Sequence, residues 1–227
     1  MDVKDFSLEF DLLYNNIMSN KAPGLNEYEK SLFLTQAQEL IVLDIYSGKY
    51  QEHFEETEKM SMCLDQLIRQ ETYTSFSTGK RLDVNSVFIT LPDDLWFKTG
   101  EIAYIKDDSY KCDENNIREV TILPVTQDTL TRTKKSPFRG PNEYRILRLN
   151  SGKNTVELIS KFPLQSYTVR YLSRPSPIIL EDLPNGLSIN GETTSKTCQL
   201  NSSIHRTILN RAVLLAKSIW ESETNQR

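Results

Sequence analysis

Residues 168–172 read Thr168-Val169-Arg170-Tyr171-Leu172, and apolar and polar side chains alternate more clearly here than elsewhere in the chain. A period of two is typical of a β-strand with one buried face. Further runs rich in β-branched and aromatic residues lie at 87–91, 101–106, 118–125, 143–149 and 155–160. The polar stretch 150–154 favours a hairpin turn between the last two of these runs. The sequence around Tyr171 therefore belongs to a β-rich middle region.

Helical periodicity flanks this region on both sides. Apolar residues recur every three to four positions over about 6–17, 33–45, 57–67 and 204–219. Asn26 and Glu29 predict a capping box at the start of the second helix, and Gly48 suits the left-handed position after its end. We expect the third helix to run over about 54–71.

The predicted fold class is α+β, with an α-helical bundle interrupted by a β-rich insertion. The bundle contains the three N-terminal helices plus the C-terminal helix, because four amphipathic faces need to be buried. Residues 1–72 plus 200–227 form the predicted helical domain, and 73–199 form the insertion. Within the insertion, Arg174-Pro175-Ser176-Pro177 predicts an extended arm that the prolines stiffen.

Charge is unevenly distributed along the 227 residues, in which 27 Lys and Arg against 31 Asp and Glu give a net charge of −4. Residues 1–72 hold 14 acids and 6 bases, whereas 161–227 hold 5 acids and 8 bases. The most basic stretch has one acid, Glu143, and six cations: Arg132, Lys134, Lys135, Arg139, Arg145 and Arg148. Such a stretch is either a solvated loop or a contact for phosphates or an acidic partner.

The sequence offers little material for catalysis. It has two histidines, and its three cysteines are too widely spaced for a disulfide framework or a CxxC pair. It contains no phosphate-binding glycine loop, zinc-protease motif or nucleophile elbow. The acid pairs at 93–94 and 107–108 are typical of turns. We therefore expect no enzyme activity, no cofactor and no metal.

The same features indicate where the protein works. The odd number of cysteines indicates reduced thiols and synthesis in a cytoplasm. No apolar run approaches the ~20 residues that span a bilayer, and the acidic start does not read as a secretory signal, so we expect no membrane contact.

Several stretches, in this order, resemble one protein family. They include 22–29 (APGLNEYE), 136–141 (SPFRGP), 171–180 (YLSRPSPIIL) and 205–213 (HRTILNRAV). Together they resemble the head–tail connector proteins (tail adaptors or ring proteins) of tailed bacteriophages, above all of crAss-like phages that infect Bacteroides. Gln127 departs from the pattern, which has a histidine after Pro-Val-Thr.

The resemblance implies a structural protein of the virion neck or tail, in a homo-oligomeric ring of about twelve copies. Such a ring is expected to lie below the portal protein, to contact neighbouring tail proteins, and to extend a channel through which genome DNA passes without sequence-specific binding. The acidic N-terminal third would suit the channel wall, and the basic stretch would suit an acidic portal or tail surface. The candidate interface residues are Arg132, Lys134, Lys135, Phe138, Arg139, Arg174, Pro175, Pro177 and His205.

Two other functions remain open at this point. One is a nucleic-acid-binding module that uses the basic 130–148 segment, although the net negative charge argues against it. The other is a tail-borne hydrolase of the cell envelope, which would need paired carboxylates or a Cys/His site. No motif in the sequence nominates such a site.

Overall fold

The computed structural model describes residues 1–18, 24–49, 62–77, 86–109, 116–152, 154–184 and 186–224. The chain divides into two compact units, one of Met1–Leu67 with Pro175–Arg227 and one of Ile68–Arg174. We call them the helical unit and the sheet unit. The division into folding domains predicted from the sequence stays a prediction. No helix in the described residues is long and apolar enough to cross a membrane.

Among the described residues, three long helices form the helical unit: α1 (Val3–Met18), α2 (Glu27–Tyr46) and α4 (His205–Thr224), which is numbered after a helix of the sheet unit. The predicted capping box of α2 is confirmed, since the Glu29 amide donates to Asn26 Oδ1 at 2.8 Å and the Asn26 amide donates to Glu29 Oε2 at 2.9 Å. Gly48 adopts the expected left-handed conformation with φ of 70°. Helix α4 packs against α1 and α2, so apolar side chains such as Leu34 and Ile208 are completely buried.

In the described part of the sheet unit there are seven strands: β1 (Ile68–Tyr73), β2 (Ser86–Thr90), β3 (Leu95–Lys106), β4 (Ile117–Val125), β5 (Arg145–Gly152), β6 (Thr155–Ile159) and β7 (Leu164–Ser173). The strand order is β1-β7-β3-β4-β5-β6-β2. All neighbours are antiparallel except β4 and β5, which are parallel and joined by helix α3 (Gln127–Lys135).

The sheet curls around an apolar core on its inner face. Buried residues from six of the strands or their ends belong to this core, among them Ile89, Ala103, Val120, Ile146, Leu158 and Val169. The alternation predicted for β7 is confirmed, because Tyr167, Val169 and Tyr171 are buried while Thr168 and Arg170 between them are half-buried. The hairpin predicted at 150–154 is also confirmed by the antiparallel pairing of β5 with β6.

The predicted α-helical bundle interrupted by a β-rich insertion is wrong, although the mixed class fits in part. Strands dominate the described part of the chain, because seven of them form one curled sheet with its own apolar core. Residues 54–61 of the predicted third helix lie outside the described residues, but Ile68–Tyr73 at its end form β1. Pairing with β7 overrides the helical pattern there, because it satisfies the backbone of a segment whose side chains are mostly exposed.

Candidate protein interface

Helix α3 connects two parallel strands and lies on the outer face of the sheet. Its single buried side chain is Leu130. Leu130 packs against three buried residues of that face: Leu147, Leu149 and Ile159. The rest of α3 is polar, and its last turn holds three cations at the end where the helix dipole favours positive charge. One apolar contact therefore anchors a helix whose remaining surface faces water.

The six cations of the basic stretch have two kinds of environment. Four are exposed: Arg132, Lys134, Lys135 and Arg139. Arg145 instead donates from Nη1 to the Phe138 carbonyl oxygen at 2.6 Å. Arg148 is largely buried, and its Nη1 lies 3.0 Å from a carboxylate oxygen of Glu101. The stretch therefore has four cations at the surface, and the other two make contacts within the protein.

Phe138 projects from the turn after α3 and is 86% exposed. The turn is held in place by the Arg145 contact and by the Gly140 amide, which donates to the Ser136 carbonyl oxygen at 2.8 Å. A Cβ at position 140 would lie 2.7 Å from that oxygen and 2.9 Å from the Lys134 carbonyl oxygen, so only glycine fits without a shift. The aromatic ring is therefore exposed on a fixed backbone.

We call Arg132, Lys134, Lys135, Phe138 and Arg139 the basic lobe. An open groove of about 1000 Å³ lies beside it, between α3 and β4. An exposed aromatic ring surrounded by arginine and lysine is typical of a surface that binds another macromolecule, since aromatic and arginine side chains dominate protein interfaces. The structure thus brings together five of the nine predicted interface residues.

The proline-containing arm is part of the helical unit's interior. Pro175 and Pro177 are buried, and Arg174 before them is exposed. The arm lies along α2 through side-chain to backbone hydrogen bonds. Gln38 Nε2 donates to the Ser176 carbonyl oxygen at 2.8 Å. The Ile178 amide donates to Thr35 Oγ1 at 3.1 Å, and the Leu180 amide donates to Ser31 Oγ at 3.0 Å. Both prolines therefore pack within their own chain, and their role in an interface stays a prediction.

His205 is also buried, at the first residue of α4. Its Nε2 lies 2.9 Å from the Leu200 carbonyl oxygen, and the Met1 amine lies 3.1 Å from its Nδ1. The neutral ring that donates from Nε2 and accepts at Nδ1 satisfies both contacts. Burial lowers the pKa of His205, and the nearby amine acts in the same direction. The histidine thus fixes the start of α4, and its predicted interface role stays untested.

A groove along α2 was not predicted from the sequence. It measures about 430 Å³, and its apolar lining comes from Leu32, Phe33, Ile189 and Ile219. Two carboxylates, Glu29 and Glu39, also line it. Asn190 Nδ2 donates to Glu39 Oε1 at 3.0 Å and fixes the loop that forms one side. We call this surface the α2 groove.

A second missed feature is a charged cluster inside the sheet unit. The Tyr167 hydroxyl and Arg148 Nη1 both donate to the Glu101 carboxylate. Burial, and next the charge of Arg148, lowers the pKa of Lys98 to about 8. Within the described residues, Thr99 Oγ1 and Arg148 Nε have no hydrogen-bond partner. Glu101 lies two and four residues before the buried Ala103 and Ile105 of β3, so the three share one face of the strand. This spacing is the sequence signal that Glu101 faces inward.

Neither cysteine that the structure describes has the features of a reactive nucleophile. Burial raises the pKa of Cys198 to about 11, so its thiol stays protonated at neutral pH. Cys63 is buried as well. No group of three or more histidine, cysteine or acidic side chains is placed to hold a metal ion in the parts of the chain that the structure covers. The basic lobe and the α2 groove remain as the candidate functional surfaces.

Comparison with known proteins gives consistent matches. A family profile described as phage tail ring protein 3/4 matches residues 1–227. "Ring protein 3" of Bacteroides phage crAss001 is 46% identical over 220 residues, which cover 95% of this chain and 95% of that protein. "Ring protein 4/5" of the same phage is 36% identical over 236 residues, which cover 98% of this chain and 95% of that protein.

Proposed function

Since the chain belongs to the phage tail ring protein 3/4 family, we propose that it is a structural subunit of a ring in the phage tail and has no enzyme activity. The observation that carries this proposal is the full-length family match, and the exposed Phe138 among the cations of the basic lobe supports it. The two crAss001 relatives are named as ring proteins, and we extend that role to this chain.

A ring subunit must contact two neighbours through two different surfaces, because only a head-to-tail interface that closes gives a ring. We propose about twelve copies per ring, a position between the portal protein and the next tail component, and a place in the virion after synthesis in the host cytoplasm. Interfaces of this kind are about as polar as ordinary surface, so the modest 38% of hydrophobic residues is compatible with them.

The ring would surround the path of the genome. Residues 1–18 and 24–49 hold eight carboxylates and three lysines. We propose that the carboxylates of this part that lie outside the α2 groove line the channel, since carboxylates repel phosphates and let DNA pass without binding. The basic lobe then faces protein and not DNA.

Native mass spectrometry of the purified chain, alone and mixed with its portal protein, tests the proposal. We expect a monomer alone and a ring of about twelve copies on the portal. A chain that forms no ring, and that binds neither the portal nor any other tail protein, would contradict the proposed function.

A nucleic-acid-binding module is the second candidate, favoured by four exposed cations within eight residues. A salt titration against duplex DNA separates the two candidates. We expect no binding at physiological salt. The second candidate would be favoured by DNA binding for which a plot of log K against log salt concentration has a slope of several units. That binding should also be lost when the four lobe cations are replaced by alanine.

A further inference from the structure

The two surfaces described above are complementary in shape. Phe138 is an exposed aromatic side chain on a fixed turn, and the α2 groove is a recess of about 430 Å³ with an apolar lining. Clefts that hold small ligands measure about 300–1,000 Å³, so a recess of about 430 Å³ is large enough for one aromatic ring. The lining residues Leu32 and Ile219 are 39% and 47% exposed, and a bound ring would cover them.

The two surfaces are also complementary in charge. Glu29 and Glu39 line the α2 groove, and no lysine or arginine lines it in the described part of the chain. The lobe surrounds Phe138 with four exposed cations, of which Arg139 is the next residue along the chain. Guanidinium groups at the rim of the groove would face the two carboxylates, which favours the correct partner and disfavours a lobe-to-lobe contact.

We infer that Phe138 of one copy of this chain inserts into the α2 groove of the next copy, and that this contact joins neighbouring subunits of the ring. The inference rests on the proposed function and names the partner of the basic lobe as a second copy. Lobe and groove are different surfaces of one chain, as a head-to-tail interface requires.

The fixed backbone of the lobe lowers the conformational entropy that this contact costs. Arg145 and Gly140 already hold the turn in the free chain, so little conformational freedom remains to be lost on binding. A buried aromatic anchor of this kind is a typical hot spot, for which truncation weakens binding by about 30-fold or more. The cations around it contribute partner choice and association rate.

Photo-crosslinking in assembled tails tests the contact directly. Phe138 is replaced by benzoylphenylalanine in the full chain, tails are purified and irradiated, and the crosslinked peptides are identified by mass spectrometry. We expect crosslinks to residues 29–39, or to the loop around Ile189, of another copy. The same label at position 144, where Tyr144 is 63% exposed outside the lobe, serves as the control and should not label the groove.

A charge exchange tests the same contact by function. Arg139→Glu removes a cation from the lobe, and Gln36→Lys places a cation on the exposed side chain that lines the groove. We expect each single variant to enter tails at least about tenfold less than the unmodified chain, and the double variant to recover most of that loss. Phe138→Ala should lower incorporation by about 30-fold, whereas Tyr144→Ala should leave it unchanged.

The outcomes separate the inference from the function on which it rests. Crosslinks from position 138 to a different tail protein, absence of any crosslink in an assembled ring, or single variants whose losses simply add in the double variant would overturn the inference. Absence of the unmodified chain from tails would instead contradict the proposed function itself.

Discussion

Arg139 and Arg148 lie in the same basic stretch, yet their surroundings differ completely. Arg139 is exposed beside Phe138 in the basic lobe, while Arg148 is inside the curled sheet, 3.0 Å from Glu101. In the lobe, charge surrounds an apolar side chain that has no cover within the described residues. In the cluster, charge is enclosed by strands, and the Arg148 Nε has no hydrogen-bond partner among the described residues.

The difference shows that one stretch of sequence serves two purposes. An exposed cation adds little to stability, because water and salt screen it. A buried pair has already lost its water, so removing one partner leaves the other uncompensated. Mutations in the cluster should therefore change stability strongly, and mutations in the lobe should change assembly while leaving stability almost intact.

The largest effect is expected for Glu101→Ala. It leaves Arg148 and the Tyr167 hydroxyl without their shared acceptor in the interior, and we expect a loss of about 3–5 kcal/mol in the free energy of unfolding. Denaturant unfolding measures it, with Arg132→Ala as the exposed control that should stay within about 0.5 kcal/mol. The double variant Glu101→Leu/Arg148→Leu should lose less unfolding free energy than Glu101→Ala, because it leaves no unpaired charge. A loss below about 1 kcal/mol for Glu101→Ala would show that the pair is not a buried one.

A smaller effect is expected for Gly140→Ala in the turn below Phe138. The new Cβ would lie 2.7 Å from the Ser136 carbonyl oxygen, so the backbone must shift, at a cost of about 1–3 kcal/mol. The Tm of thermal unfolding and the amount of protein incorporated into tails should both decrease. Gly24→Ala is the matched control, because nothing lies within 4 Å of its Cβ position, and it should behave like the unmodified chain.

His205 gives a pH dependence in the helical unit. Because burial lowers its pKa in the folded chain, the unfolded chain binds more protons as the pH falls through about 6.5. The contribution of His205 to stability is therefore complete above that pH and decreases below it. The Tm should fall more between pH 7.5 and 5.5 for the unmodified chain than for His205→Gln, and equal decreases in both chains would show that another group is responsible.

The smallest effect on stability is expected for Phe138→Ala. The removed ring is 86% exposed, so the free energy of unfolding should change by no more than about 0.5 kcal/mol. Chemical denaturation checks this value on the same preparation that is used for the assembly test. A large destabilisation would mean that the ring packs within its own chain, and the contrast between lobe and cluster would then disappear.

The sequence predicted those elements whose local pattern agrees with the final packing. The alternation around Tyr171 gave β7, and Asn26 with Glu29 gave the start of α2. Helix α3 was not predicted, because Leu130 is its only buried residue and the helix therefore has no apolar stripe. Strand β1 was not predicted as a strand, because it is mostly exposed and depends on pairing with β7, which is distant in sequence.

The candidate site was predicted in part for the same reason. The cations of the lobe are close together in sequence, so composition drew attention to them, and Phe138 was named through the family resemblance of 136–141. The α2 groove needs residues from α2, from the loop at Ile189 and from α4, which only the folded chain brings together. Pro175 and His205 read as surface residues in the sequence but are buried, since burial depends on these same distant contacts.

A cryo-EM reconstruction of the assembled tail would show whether the basic lobe is a contact between neighbouring copies. We expect a ring of this chain in which Phe138 contacts Leu32 or Ile219 of the adjacent copy within about 4.5 Å. A ring whose channel is lined by Arg132, Lys134 and Lys135, with Phe138 facing DNA, would contradict it.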